Sequence, residues 1–385
     1  MSEILLYEEL TSPEVVDLPR DTPVLLPLGD GYDINPIVSA MGDPEKIILL
    51  PPFPFGWIFS GLEVSDLYLR KYISNLLAGL HDDGFRRVFA LTPQGLSLNL
   101  GSEQLAIPHP SQWNGKNTIP DENARGKVVI IPIGHTEQHS RHLPMATDTI
   151  IIDAIARGTT QEAGELCTTL PTMPYGVSTH RSSFGGTLNA GGRAFEDFWM
   201  DVVKVLIHRG FDRFYFINGH GGNTSFLINV IKYVGERYRR IFCATSFLYL
   251  SGPDGIASLE KHRDSKKGGM GHACELETSL VLHLKPELVH MDRVIDDTNF
   301  IATPSYFMDW IEGGALIANP PWEDDTIHGS YGAGSLGTGK KGKIWLEAAI
   351  NEKVIHVKEI HEQQNRRETR RNSGFGLWGN KKINN

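Results

Sequence analysis

The chain of 385 residues carries a formal net charge of −9, with 40% hydrophobic and 22% charged residues, 40 glycines and 22 prolines. This composition is typical of a loop-rich globular protein and excludes a disordered or fibrous one. The acidic balance argues against nucleic-acid binding, which depends on clustered lysine and arginine. The basic end of the chain, residues 366–385, is interpreted as a solvated tail.

The cysteines and the lack of long apolar runs indicate in which cellular compartment the protein is expected. Cys167, Cys243 and Cys274 are odd in number and show no CxxC spacing, which fits a reducing environment without disulfides. No run of 18 apolar residues occurs, and the N-terminal residues lack a signal-peptide pattern. We therefore expect a cytoplasmic protein with neither a membrane span nor a nucleic-acid partner.

The first hundred residues resemble a later part of the same chain. "TPVLLPLG" (22–29) parallels "KVVIIPIG" (127–134), and "PPFPFG" (51–56) parallels "PTMPYG" (171–176). The framework glycines and prolines are shared, but the histidines and acids of the later segments are absent from the earlier ones. We interpret residues 1–105 as a degenerate half-domain that keeps the packing and has lost the chemistry. A chance resemblance between two strand–helix units is the alternative.

Strand and helix patterns alternate through the second part of the chain. The pattern predicts a strand at 127–133, a helix capped by Asp148, a helix at 191–210 ended by Gly210, a strand from Phe211, a helix capped by Asn223, a strand at 239–250 and a helix ended by Pro286. Such alternation is typical of βαβ units. We predict a layered α/β/α fold with a mostly parallel sheet.

The segment "IPIGHTEQHSRHLPMATD" (131–148) places many ligand-type side chains directly after a predicted strand. Alternate residues of an extended chain point to the same side, so Glu137 and His139 can project together. Asp148, at the start of the next helix, can reach back to them. The carboxyl ends of parallel strands form the crevice in which open α/β sheets bind ligands. We therefore expect a site at this edge of the sheet.

Two other segments add candidate ligands. His220 follows the strand "FYFINGH", and the glycine-rich "GGMGHACELETS" supplies His272 and Glu275, which lie three residues apart and share a face if helical. Mixed imidazole and carboxylate ligands suit Zn²⁺ or Mn²⁺ better than thiolate-binding metals. Taken singly, these residues are more often helix caps or hydrogen-bonded core residues, but their convergence favours a pair of divalent ions, with Asp148 able to bridge.

Three neighbouring residues receive other interpretations. Glu275 and Glu277 cannot both lie on one helical face, so Glu277 is expected to be a structural or supporting residue. His142 is either a partner of a ligand or a solvated loop residue. Cys274 is expected to be a small packed residue and not a nucleophile, because the sequence offers no dedicated base for it.

The three ordered motifs "IPIGHTEQHSRHLPMATD", "INGHGGN" and "GHACELETS" resemble those of the creatininase family of metal-dependent amidohydrolases. The resemblance covers roughly residues 126–361, so the catalytic domain is placed at 106–365. It implies a creatininase-like layered fold, a dinuclear centre with Zn²⁺ most expected and Mn²⁺ or Fe²⁺ as alternatives, and commonly a homo-oligomer. The ligands it implies, with Asp148 bridging, are Glu137, His139, Asp148, His220 and Glu275.

Departures from the family pattern separate this chain from creatininase itself. In creatininase a glutamate two residues after the motif histidine is a ligand, whereas this chain has Gly222, and Glu275 matches the glutamate that replaces it in other members. Arg181 stands where the family more often has histidine. It could clamp a substrate carboxylate or phosphate, or equally pair with a structural acid.

These features predict a hydrolase that cleaves a C–N bond, in a cyclic amide or formamide, of a small polar metabolite. Divalent ions would lower the pKa of bound water from about 15.7 towards neutrality. His272, on a glycine-rich arm, is the expected general acid for the leaving nitrogen. The alternatives are ring opening of a cyclic ketone or lactone at the same centre, and a non-catalytic scaffold. The N-terminal unit is expected either to cover a subunit-contact surface of smaller relatives or to form a wall of the pocket.

Overall fold

The computed structural model of the protein describes residues 2–108, 119–179, 183–311 and 313–374. Its strands are β1 (Glu3–Leu6), β2 (Val24–Pro27), β3 (Lys46–Leu49), β4 (Val88–Pro93), β5 (Gln104–Ile107), β6 (Val128–Ile133), β7 (Cys167–Thr169), β8 (Arg213–Asn218), β9 (Phe242–Ser246), β10 (Met270–His272) and β11 (Tyr331–Gly332). Its helices of six residues or more are α1 (Ser12–Asp17), α2 (Ile34–Ala40), α3 (Asp66–Asp82), α4 (Thr147–Ala163), α5 (Gly192–His208), α6 (Thr224–Arg237), α7 (Pro253–His262), α8 (Glu275–Leu284) and α9 (Gly339–Asn372).

The strands form two parallel sheets and one short antiparallel pair. The first sheet has the order β1-β3-β2-β4-β5 and the second the order β7-β6-β8-β9, with every strand pair parallel. The pair β10 and β11 is antiparallel and lies outside both sheets. The predicted α/β architecture with mostly parallel sheets is confirmed.

Alternating side chains of the strands divide the core into layers. In β6, Val129 and Ile131 face a cluster formed with α3, α5 and α6, whereas Val128 and Ile130 face α4, α8 and α9. In β2 of the first sheet, Leu26 faces the same central cluster. Because a parallel sheet needs both faces covered, the two sheets share one central helical layer. The largest core is therefore continuous between the N-terminal unit and the second sheet.

The two sheets repeat the same local geometry at the positions that the sequence comparison aligned. If β1 is left out, the first sheet has the order β3-β2-β4-β5, and the second has the order β7-β6-β8-β9. In both sheets the strand that comes first in the chain lies between the second and the third, and the fourth lies at the edge beside the third. The amide of Gly29 donates to Phe53 O at 3.0 Å, and the amide of Gly134 donates to Met173 O at 2.9 Å. Helices α3 and α5 follow at matching positions, and each has 17 residues. These correspondences support the interpretation of residues 1–105 as a degenerate repeat.

Several predicted boundaries differ from the structure. The cap of α4 is Ala146, and Asp148 lies in the first turn with its side chain directed at histidines instead of backbone amides. Strand β5 extends to Ile107, beyond the predicted limit at 105. Helix α9 continues to Asn372 through the predicted start of the tail, because pairs such as Arg366 with Glu362 at 2.9 Å support its last turns.

Other predicted element ends agree with the structure. Helix α5 ends before Gly210, which has the left-handed φ of 94° expected after a helix. Asn223 lies at the N-cap position of α6, but its side chain accepts from the amide of Val177 instead of capping the helix. Among the described residues, no helix combines the length and apolarity required to span a bilayer.

We predict that a chain lacking residues 1–105 aggregates. Deletion exposes Tyr175, Phe198 and Trp199, which are fully buried and pack on Phe53 or Phe55 of the N-terminal unit. Large exposed apolar patches cause association. Soluble yield and light scattering of residues 106–385 measure this, and co-expression of residues 1–105 as a separate chain should restore solubility. A monodisperse fragment with a cooperative thermal transition would contradict the shared core.

Candidate metal centre

Ionisable side chains from separate segments meet beyond the carboxyl ends of β6 and β8. The loop after β6 supplies Glu137 and His139, the first turn of α4 supplies Asp148, and His220 lies two residues after β8. None of these residues is more than 2% exposed. Since β6 and β8 are neighbouring parallel strands, their carboxyl ends lie at the same edge of the sheet. The structure thus brings four of the predicted residues to one place.

The distances show a continuous cluster of acids and imidazoles. His220 Nδ1 lies 3.0 Å from Glu137 Oε1 and 3.1 Å from Asp148 Oδ2. His139 Nε2 lies 3.2 Å from the other oxygen of Asp148, Oδ1. The two oxygens of Asp148 therefore face two different histidines, which is the arrangement that a bridging carboxylate requires.

Backbone carbonyls fix the orientation of both histidines. His139 Nδ1 donates to Glu137 O at 3.1 Å, and His220 Nε2 donates to Val177 O at 3.0 Å. A carbonyl oxygen can only accept, so the opposite nitrogen of each neutral ring carries the lone pair. Those nitrogens face the carboxylates, where each can hold a proton or bind a metal ion. Histidines that bind metals are held in this way by hydrogen bonds from their other ring nitrogen.

The structure places Glu277, and not Glu275, beside the cluster. Glu277 Oε1 lies 4.0 Å from His139 Nε2, and its second oxygen accepts from the amide of Ala273 at 2.6 Å. Glu275 is directed elsewhere: it accepts from the amides of Asp264 and Ser265 at 2.9 and 2.8 Å and pairs with a lysine, Lys341. The prediction that Glu275 joins the cluster is corrected here, and its carboxylate instead ties three segments together.

Steric contacts explain why Gly222 is not an acidic ligand in this chain. A Cβ atom at Gly222 would lie 2.2 Å from Val177 O and 2.5 Å from His220 Nε2. Real Cβ atoms do not approach so closely, so only glycine fits here without displacing the histidine. The third acid of the cluster comes from another segment: it is Glu277 of α8, which approaches His139.

Burial and charge act in opposite directions on the pKa values of the cluster. Burial lowers the pKa of His139, but the charge of Asp148 and its hydrogen bond outweigh burial and raise that pKa. Burial raises the pKa of Asp148, but His139 and His220 outweigh it and hold the pKa well below its usual range. The pair therefore strongly favours an ionised carboxylate beside positive charge.

His272 reaches the cluster from the short strand β10. Its Nδ1 lies 3.8 Å from Glu137 Oε1, and its Nε2 donates to the carbonyl of Gln138 at 2.8 Å. This hydrogen bond leaves Nδ1 as the ring nitrogen that faces the cluster. The imidazoles of His272 and His139 pack with ring centroids 4.2 Å apart. The glycine-rich arm thus delivers its histidine to the place that the sequence predicted for it.

His135 is a member of the cluster that sequence reasoning did not single out. Its Nε2 lies 3.9 Å from Glu137 Oε2, and its ring lies over His220 with centroids 4.5 Å apart. Its Nδ1 accepts from the amide of Gly176 at 2.8 Å, so Nε2 carries the hydrogen. This N–H lies on the side of the ring that borders Glu137, at a distance too long for a direct hydrogen bond. Its position four residues before His139 in the same motif was the available signal.

Three further predicted residues have different outcomes. His142 is fully buried and bonds Thr278 Oγ1 through Nε2 at 2.9 Å, so the solvated alternative is wrong. Burial, followed by His139, lowers the pKa of His142 to about 4, which keeps the ring neutral. Cys274 is fully buried, and burial raises the pKa of its thiol well above the usual range, as expected for a packed residue. Arg181 lies outside the described residues.

The N-terminal unit supports the loops that flank the cluster. The carbonyls of Glu8 and Leu10 accept from the amides of Ala146 and Met145, just before Asp148. Tyr7 and Ser12 donate to the carbonyls of Gly186 and Gly185 at 2.7 and 3.0 Å.

The supported loop is connected in turn to the ligand motif. Thr187 Oγ1 accepts from the amide of Gln138 at 3.1 Å, and Leu188 donates its amide to Thr136 O at the same distance. Gln138 and Thr136 are the residues on either side of Glu137. The N-terminal unit therefore helps to hold the position of two acids without entering the cluster.

A cavity of about 800 Å³ opens onto the cluster. Glu137, Asp148, His220, His272 and Glu277 form its floor, and none of its described lining residues belongs to the N-terminal unit. The expectation that this unit forms a wall of the pocket is therefore not supported by the described residues. The size lies within the range of pockets that bind small molecules.

The model of the creatininase family, described as creatinine amidohydrolase, matches residues 116–356. The chain belongs to the creatininase family. Because the match begins at residue 116, the first sheet, β1 to β5, precedes the creatininase region.

Relatives within the creatininase family have several different activities. A mycofactocin precursor peptide peptidase from Mycobacterium ulcerans is 32% identical over 173 residues, which cover 43% of this chain and 62% of that relative. A creatinine amidohydrolase from Pseudomonas putida is 28% identical over 185 residues, covering 44% of this chain and 68% of the relative. A 3-dehydro-scyllo-inosose hydrolase from Thermotoga maritima is 26% identical over 259 residues, which cover 61% of this chain and 78% of that relative.

Solved creatininase structures share the fold. A manganese creatininase superposes with a TM-score of 0.52 at 22% identity, covering 62% of this chain and 92% of that one. A creatininase variant of Zn–Zn type gives a TM-score of 0.50 at 22% identity, and the match covers 61% of this chain and 90% of that one. These similarities confirm the creatininase-like layered fold.

We predict opposite effects of Glu275→Gln and Glu277→Gln. Glu275→Gln should lower the free energy of unfolding by about 2–3 kcal/mol, the range for hydrogen bonds to a buried charge, and leave zinc binding unchanged. Glu277→Gln should weaken zinc binding by more than the roughly 10–100-fold loss seen for outer partners of metal ligands. Without metal it should not destabilise the protein, because it removes one of several clustered negative charges.

The measurements are denaturant unfolding of the metal-free proteins and zinc titration with a competing chelator. The two glutamates lie two residues apart in one helix and are both buried, so each variant is the control for the other. Loss of zinc binding in Glu275→Gln with retention in Glu277→Gln would reverse the placement described above.

Proposed function

We propose that the protein is a metal-dependent hydrolase that cleaves a C–N bond of an amide, with cyclic amides and formamides as the substrate classes to test first. The observation that carries this proposal is the cluster of oriented histidines and buried acids at the floor of the cavity. Membership of the creatininase family supports it, as does the P. putida relative named as a creatinine amidohydrolase.

The donor set fits two divalent cations. Glu137 and His220 would hold one ion, His139 and Glu277 would hold the other, and Asp148 would serve both because its two oxygens face the two histidines. Nitrogen and oxygen donors without thiolate suit Zn²⁺ or Mn²⁺. Solved creatininases of manganese and Zn–Zn type support the same choice. We propose Zn²⁺ as the first metal to test.

Divalent ions at such a site supply a lowered pKa for bound water and polarisation of a carbonyl oxygen. The protein's own residues supply position and proton transfer. The His135 ring packs on His220 and lies beside Glu137, with Nε2 3.9 Å from Oε2, so it helps to enclose that carboxylate. His272 is proposed as the general acid: its Nε2 is committed to Gln138 O, so Nδ1 takes up a proton and gives it to the leaving nitrogen.

Ring opening of a cyclic ketone is the second candidate, and the T. maritima relative named as a hydrolase of an inosose favours it. The same cluster would serve, because the acids and histidines do not specify which bond is cleaved. The scaffold hypothesis is weakened by the oriented lone pairs, since a scaffold does not require them. A cytoplasmic location is proposed on the three free cysteines, two of them buried, and self-association remains an expectation of the family resemblance.

Removal of metal tests the proposed function. We expect the dialysed, chelator-treated protein to hydrolyse no member of a panel of cyclic amides, formamides and cyclic ketones, and we expect Zn²⁺ or Mn²⁺ to restore hydrolysis of at least one. Product release is followed by mass spectrometry, and bound metal by elemental analysis. A protein that binds less than one divalent ion per chain after reconstitution would favour the scaffold.

Substitution of His272 by Ala tests the proton-transfer role. Turnover should fall by about 10²–10⁴-fold, the contribution typical of a general acid, while bound metal is unchanged. His208→Ala on the exposed surface of α5 is the control and should retain full turnover. If His272→Ala loses metal in proportion to activity, His272 is a ligand and the general-acid role is wrong.

A further inference from the structure

Beyond the acids and histidines, the cavity wall is mainly apolar. The described residues that form this wall are Phe226, Phe247, Leu248, Met308, Trp310 and Trp322. No lysine or arginine occurs among the described lining residues. Asp309, which also lines the cavity, is paired with Arg263 at 2.9 Å and accepts from the amide of Gly268. The part of the cavity away from the acids and histidines is therefore suited to an uncharged group.

The apolar side chains are concentrated beside His272. Trp322 meets the His272 ring edge to face, with centroids 5.2 Å apart at 71°, and it packs on Tyr331 at 4.3 Å. Only 2% of Trp322 is exposed, so its position is fixed by these contacts.

A second run of the chain extends this apolar wall along the arm that carries His272. The amide of Trp310 donates to Met270 O at 2.7 Å, and Met308 lies against Gly271. Trp310 also stacks on Tyr249 with centroids 5.5 Å apart. Residues 308–310 therefore run alongside β10, and the thioether of Met308 and the indole of Trp310 line the cavity onto which His272 also opens.

We propose that the substrate carries an uncharged apolar group, about the size of an aromatic ring, on the nitrogen side of the cleaved bond. This inference rests on the proposed function, because His272 marks the nitrogen side only if it protonates the leaving nitrogen. The group is seated against Trp322, Met308 and Trp310. A cavity of about 800 Å³ has room for such a group beside the cluster.

Hydroxamates test this inference without a known substrate, because they combine a metal-binding group with a variable nitrogen substituent. The probes are N-methylacetohydroxamic acid and N-benzylacetohydroxamic acid, titrated calorimetrically into the zinc-reconstituted full chain. The N-benzyl compound should bind about tenfold or more tightly than the N-methyl compound, because it buries its ring on the apolar wall.

Trp322→Ala should reduce this ratio towards one, because it weakens binding of the N-benzyl compound more than binding of the N-methyl compound. Met308→Ala, at a half-buried position, should reduce it in the same direction and serves if the tryptophan variant does not fold. Phe59→Ala, an exposed aromatic of the N-terminal unit, is the matched control and should leave the ratio unchanged.

The outcomes separate the two proposals. Equal affinities of the two compounds for a zinc-loaded protein would overturn the apolar subsite and leave the proposed function standing. Phenylacetohydroxamic acid carries its ring on the acyl side. If it binds more tightly than the N-benzyl compound, the nitrogen-side placement is overturned. Failure of the protein to retain either Zn²⁺ or Mn²⁺ would overturn the proposed function, and the inference with it.

Discussion

The site depends on one electrostatic constraint, which is the burial of three carboxylates in one small region. Glu137, Asp148 and Glu277 are each no more than 1% exposed. A buried charge is costly unless it is paired or coordinates a metal. The nearby described groups that can carry positive charge are histidines, and their ring nitrogens face the acids. Protons and divalent cations therefore compete for the same lone pairs, and each can supply the compensating charge.

This constraint gives a reason for the surrounding hydrogen bonds. A histidine that only filled space could turn its ring, but the carbonyls of Glu137 and Val177 each hold one ring nitrogen of His139 and His220. Tyr249 adds a further contact, with its hydroxyl 3.1 Å from Asp148 Oδ1 and 2.7 Å from Gly219 O. Orientation is thus fixed before any ligand binds, which lowers the cost of assembling the site.

The sequence was sufficient to place the residues that follow strands, but not those on the glycine-rich arm. Glu137, His139, Asp148 and His220 follow from strand ends at one sheet edge. The choice of Glu275 over Glu277 rested on two assumptions: that His272 and Glu275 share one helical face, and that Glu275 matches the ligand glutamate of the family pattern. His272 instead belongs to strand β10, and Ala273, with a left-handed φ of 50°, turns the chain before α8 begins. Helical spacing therefore did not apply across that turn, and only coordinates could show which acid faces the cluster.

The N-terminal unit contributes to the site through backbone and side-chain contacts, although none of its described residues lines the cavity. Under the repeat interpretation, its ancestral strand ends had the same geometry as those of β6 and β8, and the backbone hydrogen bonds of Gly29 and Gly134 still match. Its own carbonyls and side chains now hold residues 145–146 and 185–186, which precede Asp148 and lead into the loop bonded to the Glu137 segment. Because the two units share one core, a change in their packing would be transmitted to the spacing of the acids. The contacts of this unit therefore bear on the positions of the proposed ligands in the second unit.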